Sequence, residues 1–138
     1  MDRAALITGG SSGIGLAIAR ALGEDGYRLT ISARRPEKLE AAAQTLRDEG
    51  FDVEAVPANM ADESELQTLL ERHRERFGRL DVLVNNAGVG IGGPFAEAET
   101  KKVDMQIAVN LRAVYLLTRD AIPQLKEYLR SCAIEMRP

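Results

Sequence analysis

The chain has 138 residues, enough for one buried core, and its 45% hydrophobic and 28% charged residues give a globular balance, not a disordered one. A net charge of −3 with scattered Lys and Arg excludes the basic footprint of a nucleic-acid binder. A single cysteine, Cys132, excludes an intrachain disulfide, and the longest uncharged run, Val82 to Ala96, is too short and too rich in Gly and Asn to span a bilayer.

The opening "MDRAAL" carries an acid early and has no apolar signal core, so a cytoplasmic protein is expected. No repeat, linker or low-complexity segment divides residues 1–138, which read as one domain. "RAALIT" (Arg3 to Thr8) is a continuous apolar run, as in a strand buried on both faces. The stretch after the glycines places Ile14, Ala17, Ile18, Ala21 and Leu22 on one helical face, closed by "EDG". "YRLTISA" (Tyr27 to Ala33) predicts a second strand. Pro36 and Gly50 then bracket a helix with Leu39, Ala42, Ala43 and Leu46 as its apolar stripe.

"FDVEAVPAN" predicts a third strand, with Pro57 favouring an edge. Asp62 and Glu65 form a capping-box-like start to a helix carrying Leu66, Leu69, Leu70, His73 and Phe77 on one face and ending at Gly78. His73, on that apolar face, is expected to be structural. "LDVLVNNAG" predicts the fourth strand. A Gly-rich loop then leads to a long helical region from about Thr100 to Arg130, with a kink expected at Pro123. "CAIEM" (Cys132 to Met136) has the alternation of a rudimentary fifth strand. This alternation predicts right-handed βαβ units: a three-layer, Rossmann-like, doubly wound α/β fold, truncated, with a parallel sheet in strand order 3-2-1-4.

A strand ending in glycines and feeding a helix is a phosphate cradle, because the helix start offers unpaired N–H groups and partial positive charge. Gly9 would allow the tight turn, Gly13 a close approach to phosphate, and Gly15 close helix–strand packing, with Gly10 as a spare residue. Ser11 and Ser12 can add hydroxyl hydrogen bonds. The spacing, T-G-x-x-x-G-x-G from Thr8 to Gly15, differs from the commoner G-x-G-x-x-G.

With "TGGSSGIG" (Thr8 to Gly15), "NNAG" (Asn85 to Gly88) and Asn110 in "AVNLRAVYLL", in this order and spacing, the sequence resembles the short-chain dehydrogenase/reductase family over roughly residues 3 to 127. The resemblance implies a dinucleotide site that includes Gly9, Ser11, Ser12, Gly13, Ile14, Gly15, Asn59, Met60, Asn86, Ala87 and Gly88. At the end of the second strand "ISARRPEK" offers no carboxylate for the adenosine ribose, but Arg34 and Arg35 for a 2′-phosphate; NADP(H) is therefore expected over NAD(H). Asn59 stands where the family usually has an aspartate that accepts from the adenine amino group.

The family passes hydride between the nicotinamide and a carbonyl or alcohol carbon, using a serine, a Tyr-x-x-x-Lys pair and an asparagine that holds a proton-relay water. Asn110 matches the asparagine. No tyrosine here is followed four residues on by lysine, and Tyr115-x-x-x-Arg119 is not a substitute, since arginine does not deprotonate. One His and one Cys make no metal set, and none is expected.

The chain therefore reads as the cofactor-binding half of the family fold, inactive alone, with a small carbonyl or alcohol substrate only if the other half is supplied. The alternatives are a non-catalytic nucleotide-binding or regulatory module, and a truncated product. An exposed sheet edge and the long helix are the surfaces through which a homo-oligomer would form.

Overall fold

The computed structural model of the protein describes residues 2–135. Four strands, β1 (Ala4–Thr8), β2 (Arg28–Ala33), β3 (Val53–Pro57) and β4 (Val82–Val84), form one parallel sheet in the order β3-β2-β1-β4. Between them run α1 (Gly13–Glu24), α2 (Pro36–Asp48) and α3 (Glu63–Phe77). After β4 come a 3₁₀ turn (Phe95–Glu97), α4 (Thr100–Ile107), one π-helical turn (Ala108–Arg112) and α5 (Ala113–Glu135).

The apolar run of β1 is explained by its central position. Leu6 packs into one cluster with Leu66, Leu69 and Leu70 of α3 and Leu116 and Leu117 of α5. Its neighbours Ala5 and Ile7 point the other way, into a cluster with Leu29, Ile31, Leu39, Ala43 and Leu46. A strand whose successive side chains alternate between two covered faces must be apolar throughout. In register, Leu6 pairs with Thr30 of β2 and with Leu83 of β4. Each fully buried Leu or Ile contributes on the order of 2 kcal/mol. The predicted three-layer architecture and strand order are those observed.

Local signals set the helix ends. Pro36 occupies the first turn of α2 and Gly78 caps α3 in the left-handed conformation (φ 73°). The Asp62 carboxylate accepts from the backbone N–H groups of Ser64 (2.9 Å) and Glu65 (3.3 Å). The Ser64 hydroxyl and these amides hold the Asp62 carboxyl below its ordinary value. The reciprocal half of the box goes elsewhere: Glu65 accepts from Asn59 N–H at 2.6 Å, so it ties down the loop and not the cap residue.

Two expectations are corrected. Of the face expected for α1, Ile18 and Leu22 are half-buried against the core, but Ile14, Ala17 and Ala21 are exposed, and the fully buried positions are Gly15, Ala19 and Gly23. The helix lies so close to its neighbours that a Cβ on Gly23 would come within 2.8 Å of the Phe51 ring, so small residues face inward. The stretch proposed as a fifth strand continues α5 as helix through Glu135; Met136 to Pro138 lie outside the described residues. Pro123 lies inside α5, and a π turn, Ala108–Arg112, precedes that helix. Among the described residues no helix is long and apolar enough to cross a membrane.

Candidate cofactor site

The turn from β1 into α1 is built by glycines with different tasks. Gly9 (φ 66°) and Gly13 (φ 57°) adopt the left-handed conformation that other residues resist. Around Gly13 no atom lies within 4 Å of where a Cβ would stand, so the backbone there borders open space. Gly15 is the opposite case: its Cβ would fall 2.2 Å from Gly9 O and 2.4 Å from Asn86 Nδ2. Gly10 is not a spare residue. Its N–H donates to Ser32 O (3.0 Å), and a Cβ would meet Ile31 Cβ at 2.8 Å, so it fastens the loop onto β2.

The start of α1 is left open for an anion. Ser12, the N-cap, makes no side-chain capping bond, and no acid occupies the first turn. Hydrogen bonding along the helix begins with Leu16 N–H to Ser12 O (3.3 Å), which leaves earlier amides at its positive end.

Thr8 and Asn86 lock this loop to the end of β4. The buried Thr8 hydroxyl accepts from Asn86 N–H (3.1 Å) and Ala87 N–H (3.0 Å). In return, Asn86 Nδ2 donates to Thr8 O (3.1 Å) and Gly9 O (3.2 Å). Asn110, inside the π turn, faces the next residues of that segment. Its Oδ1 accepts from Val89 N–H and its Nδ2 donates to Val89 O, both at 2.8 Å. The side chain named for catalysis thus clamps the backbone that follows β4.

The ends of all four strands border one cleft of about 390 Å³. Of the residues singled out from sequence, Gly9, Ser11, Ser12, Arg34, Arg35, Met60, Asn86, Ala87 and Gly88 line it. Gly13, Ile14, Gly15, Asn59 and Asn110 do not. Gly15 and Asn110 act through the packing just described, and Ile14 is 74% exposed on α1. Asn59 is exposed on the loop between β3 and α3, and its Oδ1 accepts from Ala61 N–H (3.0 Å).

The sequence reading missed Ala33, Lys38, Ala58, Val89 and Val109 in the lining. Lys38 carried a signal, as a third cation within five residues of Arg34. Val109 carried none, because the π turn that presents it has no sequence signature. His73 lies far down the fold from this chemistry, buried between α3 and β2. Its Nε2–H donates to Arg79 O (2.9 Å) and its Nδ1 accepts from the Thr30 hydroxyl (2.7 Å). Burial, above all, lowers its pKa to about 4. Among the described residues no three His, Cys, Asp or Glu side chains are grouped to hold a metal.

Comparison with known proteins agrees with this geometry. Residues 3–133 match the model of the short chain dehydrogenase family. The chain is 37% identical over 126 residues to the 3-oxoacyl-[acyl-carrier-protein] reductase FabG of Staphylococcus aureus, covering 91% of this chain and 51% of that protein. A metagenomic short-chain oxidoreductase solved in complex with NADP superposes with a TM-score of 0.84 at 40% identity, covering 89% of this chain and 56% of the other. L-Sorbose reductase from Gluconobacter frateurii, complexed with NADPH and L-sorbose, does so with 0.88 at 34% identity, covering 92% and 49%. The chain spans about half the length of the curated relatives it matches. Its glycine turn, its Asn86 and Asn110 braces and these matches have one explanation: the chain belongs to the short-chain dehydrogenase/reductase family of oxidoreductases.

Proposed function

We propose that this chain binds NADP(H) in the cleft and forms the cofactor-holding part of a reductase acting on a carbonyl, or of the reverse oxidation of an alcohol. One observation carries the reading: a single cleft is bordered at once by the glycine turn and by Arg34 and Arg35, with no acid in its lining. The fit is chemical as well as spatial. Open space at Gly13 and the uncapped start of α1 suit a pyrophosphate. Arginine suits a 2′-phosphate that an acid would repel. Ala58 and Met60 give an apolar wall for an adenine, and Asn86, Ala87 and Gly88 let the backbone run beside the cofactor.

When bound, the nicotinamide supplies or takes up the hydride. The residues of this chain bind and orient it, and Asn110 fixes the segment after β4 from within the π turn. In this reading Asn110 supports a proton-relay water. The serine and Tyr-x-x-x-Lys that would move the substrate proton are absent from these 138 residues. The chain alone is therefore expected to bind cofactor without turnover, and a substrate enters only with a polypeptide that carries those groups. The single cysteine suits a reducing compartment and so supports a cytoplasmic setting.

The test is a titration of the purified chain with NADPH and NADH, followed by the fluorescence of the reduced nicotinamide. Saturable binding with NADPH favoured is the expected result. No binding of either nucleotide would remove the proposal, and oxidation of NADPH by a panel of carbonyls with this chain alone would remove its second half.

A further inference from the structure

The segment that follows β4 has little order of its own. Four of the six residues from Gly88 to Gly93 are glycine. Among the described residues, none of the six makes a backbone–backbone hydrogen bond. Such a chain visits many conformations unless something outside holds it. Yet its first residues, Gly88 and Val89, line the cleft. Two side-chain amides hold it, both from one stretch of helix. Asn110 grips Val89 from within the π turn. Gln106, one helical turn earlier in α4, accepts from Ile91 N–H at its Oε1 (3.3 Å). Its Nε2 donates to Lys102 O (3.5 Å), which fixes the direction of the side chain.

The setting of Gln106 marks it out. Of the eight residues of α4 it alone is half-buried, and the rest are exposed, the apolar Val103, Met105 and Ile107 among them. A helix that covers a polar side chain and leaves its apolar ones in solvent reverses the usual arrangement. Apolar packing does not account for that reversal. The bond to Ile91 does, because it needs an acceptor on the face of α4 turned to the glycine-rich segment.

We propose that Gln106 is a positioning residue for the nicotinamide half of the cofactor: through Ile91 it sets the course of the segment beside which that half lies. This rests on the reading of the cleft as an NADP(H) site and extends it. In that reading Arg34 and Arg35, after β2, take the 2′-phosphate, and the glycine turn after β1 takes the pyrophosphate. The strand order β3-β2-β1-β4 then carries the other half of the dinucleotide to the end of β4, where Gly88 and Val89 border the cleft. Gln106 itself touches no cofactor. It reduces the conformational freedom that the segment must give up when the nicotinamide arrives.

The experiment measures dissociation constants of the full chain for NADPH and for 2′,5′-ADP, which lacks the nicotinamide, by calorimetry, with Gln106→Ala and Gln106→Glu beside the unaltered protein. The unaltered chain should bind NADPH more tightly than 2′,5′-ADP. Gln106→Ala is expected to weaken NADPH about threefold, from loss of one exposed hydrogen bond, and to leave 2′,5′-ADP unchanged. Gln106→Glu keeps an acceptor for the Ile91 N–H and should recover most of the NADPH affinity. Equal thermal unfolding midpoints would show that the variants are folded. If Gln106→Ala leaves NADPH unchanged or weakens both ligands alike, or if Gln106→Glu recovers nothing, the role of Gln106 is wrong while the site stands. If the unaltered chain binds NADPH no more tightly than 2′,5′-ADP, the segment after β4 does not meet the nicotinamide half and the inference falls. If it binds neither ligand, the NADP(H) reading fails and takes this inference with it.

Discussion

The two ends of the chain treat apolar surface differently. From β1 through α3 the large apolar side chains are covered: β1 is buried along its whole length, and the stripes of α2 and α3 lie against the sheet. Of the exposed large hydrophobics among the described residues, only Ile14 belongs to that part. The others run from Ile91 to Ile122 and include Phe95, Ile107, Leu111 and Tyr115. All eight residues of α4 lack burial, and β4 is only half-buried. What differs is the number of neighbours. β1 has a strand on each side and helices on both faces, whereas β4 closes the described sheet on β1 alone. The cofactor cleft is thus mounted on the covered part, and the segment after β4 borders it as a looser wall.

The largest effect should come from the tightest point of the covered part. Gly15→Ala places a methyl group 2.2 Å from Gly9 O, where backbone and not a flexible side chain must give way. A loss of more than about 3 kcal/mol in urea unfolding is expected, with loss of nucleotide binding. A variant of ordinary stability would mean that α1 can shift off the loop, and that the cleft is less rigidly built than the contacts indicate.

Next is the pH dependence of the same part. His73 has a folded-state pKa of about 4, below its ordinary value near 6.5, so the unfolded chain binds the extra proton first. Stability from this group is fully present above about pH 6.5 and is lost as pH falls toward 4, by about 3 kcal/mol in all. Urea midpoints at pH 7 and 4.5 measure it, and His73→Gln should flatten that slope. A slope unaltered by the substitution would show that carboxylates elsewhere set the acid limit.

These contrasts also show what the residues revealed in advance. The order of strands, the α3 stripe with His73, and the glycine turn were legible because periodicity and steric need mark them directly. The inner face of α1 was legible only in part, at Ile18 and Leu22. Hydrophobicity marked Ile14 and Ala21, while closeness of packing put Gly15, Ala19 and Gly23 inward. A glycine read as loop was, at Gly10, a contact with Ile31. In the cleft, most of the glycine-turn and Asn86–Gly88 lining was visible as motif. Val89 and Val109 were not, since they arrive through the Asn110 clamp and the π turn, which depend on chain segments far apart in sequence.

Asn110 is where the two parts meet, and a smaller effect is expected there. Asn110→Ala removes both bonds to Val89 and leaves that N–H and C=O to water. About 1–2 kcal/mol of stability should be lost, because the site is exposed and water replaces part of each bond. Hydrogen exchange at Val89 should quicken while β1 and β2 amides stay protected. Equal quickening in β1 would show that the wall and the covered part open together.

The smallest effect should lie on the open side. Leu111, Val114, Tyr115, Thr118 and Ile122 border a groove along the outer face of the long helix. A substitution such as Leu111→Lys, at a residue 66% exposed, should change the stability of a lone chain by less than about 0.5 kcal/mol. Its effect on association is the sharper measurement. Apolar residues spaced by one helical turn are the usual material of a helix-to-helix contact. If copies of this chain pair through that stripe, sedimentation will show the unaltered protein heavier than Leu111→Lys at the same concentration. If both sediment as single chains with equal midpoints, the exposed apolar residues do not mediate self-association, and the contrast between the two parts concerns cover alone.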